Sequence, residues 1–176
     1  MKIEKTINKK LKQDANLFIG ELDVDADYFI KKIEEGISQS DYSYKTSVVG
    51  EMTNWDFFLN DKKCMVLLMD IFDFLDSLPN IEGYELNGCW GIKESFSEYT
   101  RRHAHKSAYY SGGIYLNDHD QRLYFPDLNT SVKPKKGRIF IFSSFLTHYT
   151  LRNKTDIPKY GIAFNLMYAK WVTKKV

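Results

Sequence analysis

Residues 101–118 read RRHAHKSAYYSGGIYLND, and residues 133–150 read KPKKGRIFIFSSFLTHYT. Each holds a strand-length segment rich in Tyr, Phe or Ile, punctuated by turn residues, Asn117-Asp118 in the first and Lys136-Gly137 in the second. With a further break at Pro126-Asp127, this pattern predicts about eight short strands from Gly83 onward. The second half of the chain is therefore expected to be nearly all β.

Upstream, the period changes from two to 3.6. A first helix is expected from about Asp25 to Glu35, with Tyr28, Phe29 and Ile33 on one side, an acidic start, and Gly36 as terminator. A second begins near Asn60 as a cap and ends before Pro79. Its residues Leu67, Leu68, Ile71 and Leu75 form an apolar stripe beside the polar face of Asp70, Asp73 and Asp76. Residues 1–82 thus read as mostly helical support with the first strands, and residues 83–170 as the β core, within a single domain spanning 1–176. The expected class is mainly β with supporting helices (α+β): a jelly-roll or related barrel-like sandwich with N-terminal helices against one outer face.

Size and composition agree with one compact unit. The chain has 176 residues, 43% hydrophobic and 15% aromatic, enough for one sizeable core but short for two. No repeat, low-complexity tract or linker divides it. The 25 Lys+Arg and 23 Asp+Glu leave a net charge of +2, which makes no global electrostatic case for nucleic acid, a membrane or a strongly acidic partner. The local basic clusters, Lys133 to Arg138 and Lys170 to Lys175, read as a solvated turn and tail. Cys64 and Cys89 lack metal-ligand spacing and suit a reducing compartment. The N-terminal residues are basic without the apolar core of a signal peptide, and no run reaches membrane-span length, so a cytoplasmic, soluble protein is expected.

Chemistry is carried by the histidines, of which there are four. His119 lies in the turn-like Asn117-Asp118-His119-Asp120 and is expected to be exposed. His103 and His105 are two apart, so in an extended segment both imidazoles face one side. His148 closes the apolar run that starts after Gly137. Alone, a His-x-His pair is weak evidence for a metal.

The order RRHAHKSAYYSGGIYLND, then KPKKGRIFIFSSFLTHYT, then PKYGIAFN (158–165) resembles the 2-oxoglutarate and iron(II)-dependent oxygenase superfamily, especially its small prolyl-hydroxylase-like phage and bacterial members. That superfamily shows a paired metal motif, a strand ending in Tyr-Leu-Asn or similar, a Gly-initiated strand leading to a distal His, and a basic residue about ten positions later. The resemblance covers about Gly83 to Asn165 and implies a double-stranded β-helix (jelly-roll, cupin-like) core. It implies His103 as proximal and His148 as distal iron ligand, Lys159 and Tyr115 as partners of the far carboxylate of 2-oxoglutarate, and Asn165 as a further lining residue. Molecular oxygen would be the second co-substrate, with succinate and carbon dioxide released and a peptide, nucleobase or small metabolite hydroxylated.

Two departures stand out. The usual motif is His-x-Asp or His-x-Glu, whereas this chain has His105. Either three histidines hold the metal, or His105 stands behind the site and a carboxylate such as Asp127 completes it. Lys159, eleven residues after His148, stands where Arg is more frequent. The missing carboxylate also leaves open a cupin-like metal- or ligand-binding module without redox turnover, and a structural protein with incidental histidines. Trp90 is expected either in the β core or as a substrate wall.

Overall fold

The computed structural model describes residues 2–10, 14–40, 46–79, 83–105 and 107–169. In chain order the strands are β1 (Lys2–Lys10), β2 (Asp14–Glu21), β3 (Val48–Val49), β4 (Glu51–Met52), β5 (Tyr84–Glu94), β6 (Tyr99–Thr100), β7 (Tyr110–Tyr115), β8 (Leu123–Phe125), β9 (Thr130–Val132), β10 (Arg138–Ser143), β11 (Tyr149–Thr150) and β12 (Lys159–Tyr168). Helix α1 (Ala26–Gln39) lies between β2 and β3, and α2 (Lys62–Asp76) between β4 and β5. A seven-stranded antiparallel sheet runs in the order β1-β2-β10-β7-β12-β5-β4, opposed by smaller sheets β11-β8-β9 and β3-β6. This is the double-stranded β-helix, and eight of its strands follow Gly83 as the sequence predicts.

Strand alternation builds the two faces of the large sheet. On β10, Ile139 and Ile141 join the helix-side core, while Phe140 and Phe142 join the inner core. Likewise Ile162, Phe164 and Leu166 of β12 meet the helices' buried residues Phe29, Ile33, Leu68, Ile71 and Leu75. That leaves Lys159, Gly161, Ala163 and Asn165 on the opposite, cavity-lining side. Each buried Phe or Ile side chain contributes about 1.5–3 kcal/mol, so a single-residue slip that exchanged the faces would be strongly disfavoured.

Both helices form for the reasons their sequences suggest, with boundaries that differ. Asp25 caps α1, its carboxylate accepting from the Tyr28 N–H at 3.3 Å. Gly36 does not end that helix. It is buried inside it, because a Cβ there would lie 2.6 Å from the Phe57 ring, and the helix continues to Gln39 before Ser40 caps it. Asp61, not Asn60, caps α2 by accepting from the Cys64 N–H at 2.9 Å. Cys64, Leu68, Ile71 and Leu75 are fully buried, whereas Leu67 sits half-buried at the stripe's edge.

The N-terminal residues are also strands, where sequence reading emphasised helical support. β2 pairs with β10 from Arg138↔Glu21 to Phe142↔Leu17, which makes it an integral member of the large sheet. β1 pairs with β2 at the sheet edge, with a register shift between Ile3 and Lys5. Its charged residues hinder further strand addition. The basic turn from Lys133 to Arg138 is neutralised locally: Lys133 pairs with Asp120 at 2.8 Å, Lys135 with Glu21, and Arg138 with Glu4 at 3.1 Å. The cluster Lys170 to Lys175 lies outside the described residues. Cys64 and Cys89 are buried free thiols. No helix among the described residues is long and apolar enough to cross a membrane.

Candidate metal centre and adjoining cavity

Three histidines converge where the two sides of the barrel meet. His103 and His148 exchange backbone hydrogen bonds as an isolated antiparallel bridge, at 3.1 and 2.9 Å. The His105 N–H donates to the Ser144 carbonyl at 2.8 Å, fixing the next alternate residue against the same turn. Asp127 supports that turn by accepting from the Thr147 N–H at 2.8 Å. As a result, one potential ligand atom from each of His103, His105 and His148 lies within 4.8 Å of the others. Among the described residues these three alone form such a group, and Asp127 is not in it.

Their environment favours neutral imidazoles. Burial lowers the pKa of His103 despite its bond to the Arg101 carbonyl. Burial, then the neighbouring His103, brings His105 down to about 4. His148 falls to about 3, from burial first and then His103, with smaller opposing help from the Leu146 carbonyl. Nδ1 of His103 lies 2.8 Å from the Arg101 carbonyl oxygen, and Nδ1 of His148 lies 3.0 Å from that of Leu146. In the neutral ring each Nδ1–H donates to its carbonyl, which leaves Nε2 with its lone pair for a metal. The third ring is oriented by the 3.3 Å approach of His105 Nε2 to His148 Nε2. With His148 Nε2 as acceptor, His105 Nε2 carries the proton in this arrangement. The donor set fits a divalent transition metal such as iron(II), for which imidazole is a suitable ligand.

Behind the histidines lies a cavity of about 350 Å³. Residues of strands β5, β7 and β12 line it, among them Trp90, Glu94, Tyr115, Lys159 and Asn165. The sequence-predicted Lys159 is buried there, but its ammonium pairs with the chain's own Glu94, which is 1% exposed. Direct cross-strand register, Lys159↔Glu94, places the two on the same face. Tyr115 is also buried, with its ring centroid 5.9 Å from the lysine nitrogen. Its phenol is held protonated well above the usual range, by burial and then by the Glu94 charge. Asn165 accepts a 2.7 Å hydrogen bond from the Ser111 hydroxyl.

Sequence reading missed Glu94 and its two supporting threonines. Thr100 and Thr150 donate their hydroxyls to Glu94 Oε1 at 2.8 and 3.2 Å. The available signal was alternation: Trp90, Ile92 and Glu94 share one face of β5, and a carboxylate there requires buried partners. Trp90 does line the cavity. Its indole N–H has no hydrogen-bond partner among the described residues, and its ring meets the half-exposed Trp55 at 4.2 Å. His119 departs from expectation because its loop folds inward: it is 7% exposed, with Nε2 at 3.0 Å from Thr155 Oγ1 and 2.9 Å from the Ile157 carbonyl.

Solved structures that share this fold include prolyl hydroxylases and proteins with 2-oxoglutarate bound. Among solved structures, a viral collagen prolyl hydroxylase from Paramecium Bursaria Chlorella virus-1, in complex with 2-oxoglutarate, superposes with a TM-score of 0.69 at 18% identity, covering 86% of this chain and 96% of that one. A Pseudomonas putida prolyl-4-hydroxylase gives 0.64 at 16% identity, over 87% and 92% of the two chains. HygX from Streptomyces hygroscopicus, with nickel and 2-oxoglutarate bound, gives 0.63 at 11% identity, over 88% and 83%. No family model and no curated protein matches the sequence. At these identities the likeness shows the fold.

Proposed function

We propose that this chain, as one domain over residues 1–176, is an iron(II)- and 2-oxoglutarate-dependent dioxygenase that hydroxylates its substrate. The observation that carries the reading is the cluster of three imidazoles, one buried and two partly buried, lining a cavity that also contains a buried lysine. In this assignment His103, His105 and His148 hold the metal. Lys159 and the protonated Tyr115 hydroxyl bind the far carboxylate of 2-oxoglutarate, with Asn165 on the same lining. When bound, iron(II) and 2-oxoglutarate supply oxygen activation, with release of succinate and carbon dioxide and oxidation of a substrate carbon.

The chain's own contribution is placement and exclusion of water. Backbone carbonyls of Arg101 and Leu146 hold two imidazoles in the metal-binding tautomer. Phe140, Phe142 and Leu123 close the cavity between the sheets with apolar surface. Trp90, with an unpaired indole N–H beside the exposed face of Trp55, favours a substrate that offers a hydrogen-bond acceptor next to a planar or apolar surface.

The test is succinate formation from 2-oxoglutarate by the iron-loaded protein in air, without added substrate. Slow turnover is expected, and a chelator that removes the metal should abolish it. Loaded protein that forms no succinate above the chelated control would contradict the oxygenase reading and leave a non-redox binding module.

A further inference from the structure

The cavity carries one charged group that a simple carboxylate clamp does not require. Glu94 is buried, directly across the β5–β12 register from Lys159, and its Oε2 pairs with the lysine ammonium. Its other oxygen, Oε1, is held by the hydroxyls of Thr100 and Thr150 at 2.8 and 3.2 Å. Thr150 is in turn tied to the Thr100 N–H at 2.7 Å and to Gln121 Nε2 at 3.3 Å. The carboxylate therefore has an anchorage of its own that survives separation from Lys159.

Resting on the oxygenase reading above, we propose that Glu94 is an internal competitor for Lys159 and thereby sets the affinity and selectivity of the site for 2-oxo acids. A ligand's distal carboxylate that reaches Lys159 meets an ammonium already neutralised by Glu94. It must take over or share that ammonium while a second carboxylate stays nearby. In a low-dielectric cavity this like-charge approach opposes binding. A 2-oxo acid that ends in a methyl group meets no such opposition. Glu94 thus lowers the advantage of 2-oxoglutarate over a monocarboxylate of equal length.

Charge balance shows why such a residue is tolerated. Three neutral imidazoles leave the two positive charges of iron(II) uncompensated, unlike a triad containing a carboxylate. Dianionic 2-oxoglutarate balances the metal, and Glu94 balances Lys159. The negative charge absent at His105 is present instead at Glu94 in the lining of the same cavity.

A scaffold role for Glu94 makes the opposite prediction. If the carboxylate only holds Lys159 in position, its removal weakens 2-oxoglutarate binding. If it competes, removal strengthens binding. The experiment is anaerobic titration of the iron(II)-loaded parent and E94Q with 2-oxoglutarate and, separately, with 2-oxopentanoate. E94Q should bind 2-oxoglutarate about tenfold or more tightly than the parent, the size of one charged hydrogen bond, with little change for 2-oxopentanoate. Weaker 2-oxoglutarate binding by folded E94Q, no change, or an equal shift for both ligands would overturn the proposal. Should E94Q fail to fold, E94D decides: drawing the carboxylate back from Lys159 should tighten 2-oxoglutarate binding with little change for 2-oxopentanoate, and weaker or unchanged 2-oxoglutarate binding by folded E94D would overturn the proposal. Parent protein that binds iron but neither 2-oxo acid would overturn the oxygenase reading together with this inference. Binding of both ligands without the E94Q effect would overturn only the role of Glu94.

Discussion

Replacing His148 with alanine should reduce iron(II) affinity by more than about a hundredfold, beyond the 10–100-fold typical of losing a residue that merely orients a ligand. His148 is the most buried of the three histidines, at 5% exposure, and its Nδ1 is tied to the Leu146 carbonyl. Its ring also packs on Phe142, with centroids 4.7 Å apart, so truncation leaves a cavity as well as two of the three proposed ligands. Anaerobic competition with a metal chelator reads the affinity, and a thermal melt of the metal-free protein separates lost ligation from lost folding. Folded His148→Ala with parental iron affinity would place the metal elsewhere.

The second large effect is expected at Lys159. Its ammonium is buried between Glu94 and Tyr115, and nothing in a β-sheet requires a lysine there. A hydrogen bond to a charged group is worth about 1.5–3 kcal/mol, so Lys159→Ala should weaken 2-oxoglutarate binding by roughly tenfold to more than a hundredfold. Leaving Glu94 buried without its counter-ion pushes the effect toward the upper end and lowers the melting temperature. Iron affinity should change little. Lys159→Arg keeps the charge but brings a longer, planar head into the space, and partial retention is expected. Titration of the three iron-loaded proteins with 2-oxoglutarate checks this, and an alanine variant that binds like the parent would remove Lys159 from the site.

Much of this arrangement was legible because it is local. The alternation of Ile139, Phe140, Ile141 and Phe142 predicts a two-faced strand, and the structure assigns those residues alternately to the outer and inner cores. The spacing of His103 and His105 predicts a shared side, and both meet His148. Features set by tertiary packing were harder to read. Gly36 looks like a terminator until Phe57 is seen against it. The β1–β2 hairpin is disguised by charged residues and by the register shift after Ile3. His119 sits in a turn by composition, yet Thr155 and Ile157 draw it inward. Glu94 required knowledge of which strand lies opposite Lys159, and only the β5–β12 register supplies that.

The central claim, that these imidazoles and this cavity together bind iron(II) and 2-oxoglutarate, is tested most directly by anaerobic titration of the purified protein with both. The account predicts a visible metal-to-ligand charge-transfer band that appears only when iron and 2-oxoglutarate are present together, saturates at one equivalent of each, and is absent in folded His148→Ala. Iron binding at the histidines with no such band at any 2-oxoglutarate concentration would contradict it.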